Sequence, residues 1–310
     1  MQQRHLGLSG LRLSVLSLGT MTWGTTTEDD QCRDIALEYL AAGGTVIDTA
    51  ASYGEGRSEE IIGELLTDVI PRDEVVLVSK AGISRRDGVR RVDCSRTALL
   101  NALDSSLRRL GVDHLDLWFA HTWDAQVPLE ETLSALDDAV TSGRVRYAGV
   151  SNYAGWQSAK AAQLTHRPLV AAQVEYSLLQ RSVEAEIIPA ALDAGLGLMC
   201  WGPLGRGVLT GKYRGQVPAD SRAASERWSD YVNPYLARKA SRTTEAVATA
   251  AKGLDRSPLD LALSWLLQRP AVTSAVIGPR TVDQLRAALA AGLDPLPEQI
   301  VAVLDEVSAG

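Results

Sequence analysis

Along this chain a short β-branched or apolar run is followed, again and again, by an Ala/Leu-rich stretch with helical spacing. Such alternation marks a parallel sheet, because parallel strands need a crossover of a dozen or more residues and a helix supplies it. The runs read as strands are Val15–Leu18, Val46–Asp48, Val75–Ser79, Leu115–Phe119, Val145–Val150, Val170–Val174, Gly197–Trp201 and Ser274–Ile277, eight in all. Between and beyond them the spacing predicts helices near Asp29–Ala41, Ser95–Leu110, Leu129–Ser142, Val183–Asp193 and Val282–Ala290. Eight strands with crossover helices fit either a closed barrel or an open doubly wound sheet. The open sheet's usual GxGxxG turn does not follow the first strand, so a (β/α)8 TIM barrel is expected.

At 310 residues the chain suits one such barrel, and a single domain over residues 1–310 is expected. The opening QRHLGLSGLRLS alternates around Ser9-Gly10 and reads as an N-terminal β-hairpin closing the barrel floor. One stretch breaks the rhythm: a long loop, with helices near Arg242–Lys252 and Pro258–Gln268, separates the seventh strand from the eighth. A long loop inside a compact fold is expected to be functional.

A net charge of −7 offers no basic footprint for nucleic acid or an anionic membrane surface. The partner expected is therefore a small molecule. Cys32, Cys94 and Cys200 are odd in number and widely spaced, which matches neither a disulfide framework nor a zinc site, so no metal is expected. No apolar run reaches membrane-spanning length and the first residues lack a signal peptide's apolar core, so the expected location is cytoplasmic.

Barrel enzymes keep their chemistry where strands end at the C-terminal face. Asp48 ends the second strand and Tyr53 follows on its loop; Lys80 lies just past the third strand and His121 just past the fourth. Singly, each has an ordinary explanation as a turn cap, a loop aromatic, a snorkelling strand end or a core histidine. Together they bring a carboxylate, a phenol, an ammonium and an imidazole to one mouth. That set suits a reaction that builds negative charge on an oxygen and then protonates it.

In the contexts DTAASYG, VSK and HTWD these residues closely resemble the aldo-keto reductase superfamily, over Leu6 to about Leu289. The branch it is most similar to includes bacterial reductases and potassium-channel β subunits. The resemblance implies reversible hydride transfer between NADPH/NADP+ and an aldehyde or ketone. Tyr53 is then the proton donor, Lys80 its charged partner, Asp48 the counter-ion of Lys80, and a neutral His121 the carbonyl's guide. A free phenol has a pKa of about 10, and an ammonium about 4 Å away at an effective dielectric of about 20 lowers it by roughly three units before burial offsets some of that.

The same resemblance assigns the cofactor site. Ser151 and Asn152 in GVSNY, with Gln173 in AAQVEYS, match residues that hold the nicotinamide carboxamide. Trp201 in CWGPLGRGVLTGKY matches an aromatic that stacks on the nicotinamide ring, while Gly202, Leu204, Gly205, Lys212 and Arg222 match the pyrophosphate clasp. Gly278, Arg280, Thr281 and Gln284 in IGPRTVDQL match the site of the adenosine 2′-phosphate and adenine. Ala287 and Ala288 depart from the pattern, which carries an acidic residue and Asn there, so contacts to adenine are expected to be fewer. GVLTGKY also resembles a phosphate-binding P-loop, but Arg206 replaces the first glycine and Tyr213 the required hydroxyl residue. Trp23 and Trp123 are expected to line the substrate pocket. Two other classes share features of this chain: an NADP(H)-sensing regulatory subunit with little turnover, and a Schiff-base aldolase with Lys80 as nucleophile.

Overall fold

The computed structural model describes the chain except Asp87, Gly88, Asp220, Arg227, Ala237 and Gly310, and the side chains of Arg86, Arg222, Arg238 and Lys239. Eight parallel strands close into a barrel: β1 (Leu16–Gly19), β2 (Val46–Asp48), β3 (Val76–Ala81), β4 (Leu115–Ala120), β5 (Val145–Ser151), β6 (Leu169–Glu175), β7 (Gly197–Trp201) and β8 (Val272–Ile277). Each pairs with its neighbours in chain order, and β8 closes on β1 through the register Ala275 with Leu16 and Ile277 with Leu18. All eight sequence-predicted strands are present, within two residues at their ends.

Both faces of these strands are covered, which is why they read as unbroken apolar runs. One buried cluster fills the barrel interior, with Val46, Val78, Leu117, Phe119, Met199 and Val276 among its members. Leu6 and Leu13 of the N-terminal hairpin (Gln3–His5 paired with Arg12–Ser14) join that cluster, fully buried. Burying each of these leucines contributes roughly 1.5–3 kcal/mol, so the hairpin is a plug for the floor. A second, larger cluster fills the layer between strands and helices.

The helices start and stop where local chemistry dictates. Ser95 caps Arg96–Leu110, accepting from the Ala98 amide at 3.4 Å, and Gly111 ends that helix at φ 64°. Ser257 caps Pro258–Leu267 with proline in its first turn, accepting from the Asp260 amide at 3.1 Å. The helix predicted near Arg242–Lys252 runs longer, over Arg238–Gly253. Helices Arg57–Asp68, Gly155–Leu164 and Glu298–Ser308, and an antiparallel hairpin of Ile83–Arg86 with Val89–Val92, stand outside the sequence expectation. No helix among the described residues is long and apolar enough to cross a membrane.

Candidate active site

The C-terminal ends of β2, β3 and β4 bring together the four residues expected at the mouth. Asp48 is buried and Lys80 fully enclosed, with Lys80 Nζ donating to Asp48 Oδ2 at 2.8 Å and to the Thr49 carbonyl at 2.7 Å. Gln173, from β6 across the barrel, donates to Asp48 Oδ1 at 2.8 Å, so both carboxylate oxygens are satisfied. A buried ion pair is tolerable only when its remaining lone pairs and protons are matched in this way.

Tyr53 is half-buried on the turn Tyr53–Gly56, held by two left-handed residues, Gly54 and Glu55. Lys80 Nζ lies 5.1 Å from the centre of the Tyr53 ring, and the rings of Tyr53 and His121 meet edge to face with centroids 6.0 Å apart. The carboxylate, ammonium, phenol and imidazole therefore form one contiguous set.

Their electrostatics are set by burial first. Burial pushes the Tyr53 phenol above its ordinary value, the Lys80 charge and hydrogen bond pull it down, Asp48 pushes it up, and the net direction is upward. The proton thus stays on the phenol at neutral pH, and Lys80 reduces the cost of giving it away. The expected depression by Lys80 is present but does not prevail over burial. Lys80 itself is raised: burial lowers it, and Asp48 and Tyr53 together outweigh that. His121 is driven well below its usual range by burial, then by the charges of Lys80 and Arg90, and is neutral at pH 7. Its Nδ1 is buried and has no hydrogen-bond partner among the described residues.

Next to this set, the ends of β5, β6 and β7 carry the residues matched to a nicotinamide. Asn152 has a left-handed backbone at φ 59°, a conformation asparagine tolerates better than most. Its Nδ2 donates to the His121 carbonyl at 3.0 Å and to Ser151 Oγ at 3.1 Å, and its Oδ1 accepts from Trp201 Nε1 at 3.1 Å. Ser151 Oγ donates to the Gln173 carbonyl at 3.0 Å. Asn152 thus ties the ends of β4, β5 and β7 together and fixes the half-buried Trp201 indole.

Beyond Trp201, Gly202 and Gly205 hold left-handed φ of 65° and 54°, and a Cβ on Gly205 would meet Leu179 at 2.7 Å. A side chain at Gly205, which is buried, would collide with Leu179, so glycine is what lets the loop pack closely there. Leu204 is half-buried and Lys212 exposed, with its Nζ 5.1 Å from the centre of the Tyr213 ring. The side chain of Arg222 lies outside the described residues. Sequence reasoning missed Arg206 as more than a P-loop disqualifier. It pairs bidentately with Glu175 at 3.0 and 2.9 Å and lies 3.8 Å from the centre of the Tyr231 ring and 4.6 Å from that of Tyr235. That contact ties the long loop to the end of β6. A planar cation beside several loop aromatics was the available signal.

At the end of β8, Gly278 is exposed and Arg280 half-buried. Thr281 caps Val282–Leu289, its Oγ1 accepting from the Gln284 amide at 3.2 Å, while Gln284 Oε1 accepts from the Arg280 amide at 3.0 Å. A helix N-terminus with a guanidinium on the preceding loop suits an anion. Ala287 is exposed and Ala288 buried.

Trp123 is half-buried, edge to face with Tyr153 at 5.3 Å and with the exposed Trp156 at 5.5 Å. Trp23, also expected at the pocket, is fully enclosed. The tight turn that starts at Thr22, closed by the Thr22–Thr27 hydroxyl contact at 2.8 Å, tucks its ring into the strand–helix layer.

Comparison with known proteins accords with this geometry. Residues 15–309 match the model of the aldo/keto reductase family. The chain is 36% identical to the uncharacterized oxidoreductase YrpG of Bacillus subtilis, over all of this chain and 97% of that protein. It is 34% identical to a probable voltage-gated potassium channel subunit beta of Oryza sativa, over all of this chain and 96% of that protein. It is 36% identical to the L-glyceraldehyde 3-phosphate reductase of Escherichia coli K12, over 92% of this chain and 86% of that enzyme. With eight parallel strands closed into a barrel and a family match from the first barrel strand to the last helix, this chain belongs to the aldo/keto reductase family.

Proposed function

We propose that this oxidoreductase uses NADPH to reduce an aldehyde or ketone to the alcohol, with Tyr53, Lys80, Asp48 and His121 as its catalytic set. The observation that carries the reading is the fully buried Lys80 ammonium, compensated by Asp48 and set against the Tyr53 ring. A chain stores a buried charge of this kind at a cost, and such costs cluster at functional sites.

When bound, NADPH supplies the hydride. Ser151, Asn152 and Gln173 would hold the carboxamide side of its ring beside the Trp201 indole that Asn152 fixes. Gly202, Leu204, Gly205, Lys212 and Arg222 would accommodate the pyrophosphate. Gly278, Arg280, Thr281 and Gln284 would receive the 2′-phosphate end, where helix N-terminus and guanidinium match its charge. The neutral His121 directs the carbonyl oxygen toward the Tyr53 hydroxyl. As negative charge grows on that oxygen, Tyr53 delivers its proton and Lys80 offsets the phenolate left behind. In the reverse direction the same phenolate accepts the proton.

Lys80 is a poor Schiff-base nucleophile here, since its pKa is raised and its proton is held by Asp48. The similarity to a potassium channel β subunit supports a second reading, a nucleotide-sensing subunit with little turnover. Multiple-turnover loss of NADPH absorbance across a panel of aldehydes, ketones and sugars decides between the two. Sustained turnover supports the reductase. Tight NADPH binding with at most one turnover overturns it.

A further inference from the structure

The rim of the mouth carries a charge that the proposed reaction does not use. The antiparallel hairpin Ile83–Arg86 with Val89–Val92 leaves the barrel directly after β3, and its first strand packs on the Tyr53–Gly56 turn. Its register sets Ile83 opposite Val92 and Arg85 opposite Arg90. Opposed residues share a face, and alternate residues along a strand do too, so these four side chains lie on one side of the hairpin. Val92 packs on the core, which turns that side toward the body of the protein. The charge of Arg90 is felt at His121, whose protonation it helps to suppress.

Two guanidiniums directly opposed across strands repel each other. Some arginines of this chain are matched, Arg57 by Asp29, Glu60 and Glu64, Arg214 by Glu245, and Arg286 by Glu38, while the exposed Arg12 and Arg33 make no ion pair among the described residues. What sets Arg85 and Arg90 apart is that they stand directly opposite one another beside the mouth. Among the described residues, Arg85, Arg90 and Arg91 make no ion pair and no side-chain hydrogen bond. Two of the neighbouring carboxylates accept backbone hydrogen bonds, Asp93 from the Ser95 amide at 3.0 Å and Asp124 from the amides of Cys94 and Gln126 at 3.0 and 2.9 Å. Glu55, on the turn itself, is exposed and makes no ion pair. In a chain of net charge −7, a local cationic rim is what draws an anion to the mouth against the overall field.

We infer that Arg85 and Arg90 select a carbonyl substrate that also bears a carboxylate or a phosphate, gripping that anion at the hairpin while the carbonyl reaches Tyr53 and His121. The inference rests on the reductase reading. Arg85 and Arg90 are specificity residues and take no part in the proton or hydride transfer. Carboxylate and phosphate share the chemistry that planar guanidiniums recognise, two acceptor oxygens held by parallel N–H donors.

The test compares kcat/KM within two substrate pairs, para-carboxybenzaldehyde against para-nitrobenzaldehyde and glycolaldehyde phosphate against glycolaldehyde. Wild type, Arg90→Lys and the double variant Arg85→Gln with Arg90→Gln are assayed with NADPH at two salt concentrations. Wild type is expected to favour the anionic member of at least one pair. In the double variant that preference falls about tenfold, as a rise in KM for the anion, while Arg90→Lys keeps much of it. Added salt erodes the wild-type preference, because the contact is electrostatic and near solvent. A drop confined to the phosphate pair or to the carboxylate pair identifies the anion. Equal preference ratios in wild type and double variant overturn this inference and leave the reductase reading intact. Failure of wild type to turn over either member of both pairs overturns the reductase reading, and this inference with it.

Discussion

Lys80 Nζ sits 2.8 Å from Asp48 Oδ2, between two adjacent barrel strands, with both side chains closed off from solvent. The register pairs Asp48 with Val78, so Lys80 lies two residues further along its strand and leans back across the ladder to reach the carboxylate. The barrel's stagger thereby places the ammonium beside Tyr53, on the loop that Asp48 begins. Stability and chemistry meet in this pair, and removing either member tests both.

Lys80→Met strands the Asp48 carboxylate with Gln173 as its remaining partner, and breaking a buried pair in this way costs about 3–5 kcal/mol. Because the folded state raises the lysine pKa, the lost stabilisation is fully present below the ordinary lysine value of 10.5 and fades as pH rises through the folded value. Urea midpoints of wild type and variant should therefore differ by a constant amount from neutrality to mildly alkaline pH and converge above it. In any reduction that survives, the alkaline limb of the rate should move to higher pH, since the phenol has lost the charge that pulled its pKa down. An unmoved limb would separate Lys80 from Tyr53 functionally.

Tyr53→Phe removes only the hydroxyl. Loss of general acid catalysis is worth about 10²–10⁴-fold in rate, with NADPH affinity expected to stay close to wild type. Steady-state reduction and fluorescence titration with NADPH measure the two halves. Turnover near the wild-type rate would sink the assignment of the proton donor.

His121 gives an acid-side signature. Its folded pKa lies well below 6.5, through burial first and then the charges of Lys80 and Arg90, so below that pH the unfolded chain takes up a proton that the folded chain refuses. Stability should fall as pH drops through the window between 6.5 and the lower folded value. His121→Asn should flatten that part of the curve, measured as urea midpoints from pH 7 downward. If the two proteins lose stability in parallel over that range, His121 is not held neutral by its surroundings.

How far the sequence reveals all this depends on which forces set each part. Strands such as Val272–Ile277 are buried on both faces and declare themselves by apolar content alone. Asp48, Lys80 and His121 were legible because a polar residue at the end of an apolar run has few structural reasons to be there. The hairpin after Lys80 was not, since ISRR and VRRV lack an apolar alternation, although the intervening Asp-Gly is itself a hairpin signal. Helix Gly155–Leu164 was hidden by its glycine start and its weak segregation of apolar residues. Trp23 is less legible, because its enclosure in the strand–helix layer depends on packing contacts far apart in the chain. The Arg206–Glu175 contact depends on a partner thirty-one residues away, which no local pattern reports.

Trp201 offers an optical test. Its indole is fixed by the 3.1 Å bond to Asn152, so a nicotinamide stacked on it should quench its fluorescence. With 7 Trp in the chain, the informative quantity is the difference in quenching between wild type and Trp201→Phe. Trp201→Ala should also weaken NADPH binding through lost stacking. Equal quenching amplitudes in wild type and Trp201→Phe would place the ring elsewhere.

On the proposed reading, the choice between NADPH and NADH falls to Arg280. The capped N-terminus of Val282–Leu289 and the Arg280 guanidinium together suit the 2′-phosphate, the one group that distinguishes the two cofactors. A charge-assisted contact of this kind contributes roughly 1.5–3 kcal/mol, equivalent to about ten- to a hundredfold in affinity. Ala287 and Ala288 cannot offer polar side chains to adenine, and adenine is common to both cofactors, so their effect falls on both and leaves the preference with the phosphate. Arg280→Ala should therefore raise the Kd for NADPH about ten- to a hundredfold and barely change that for NADH. Titrating both cofactors against both proteins at low and high salt is the measurement, because screening should shrink the wild-type preference in the same direction as the substitution. Equal losses for the two cofactors would show that Arg280 supports the loop and does not read the phosphate.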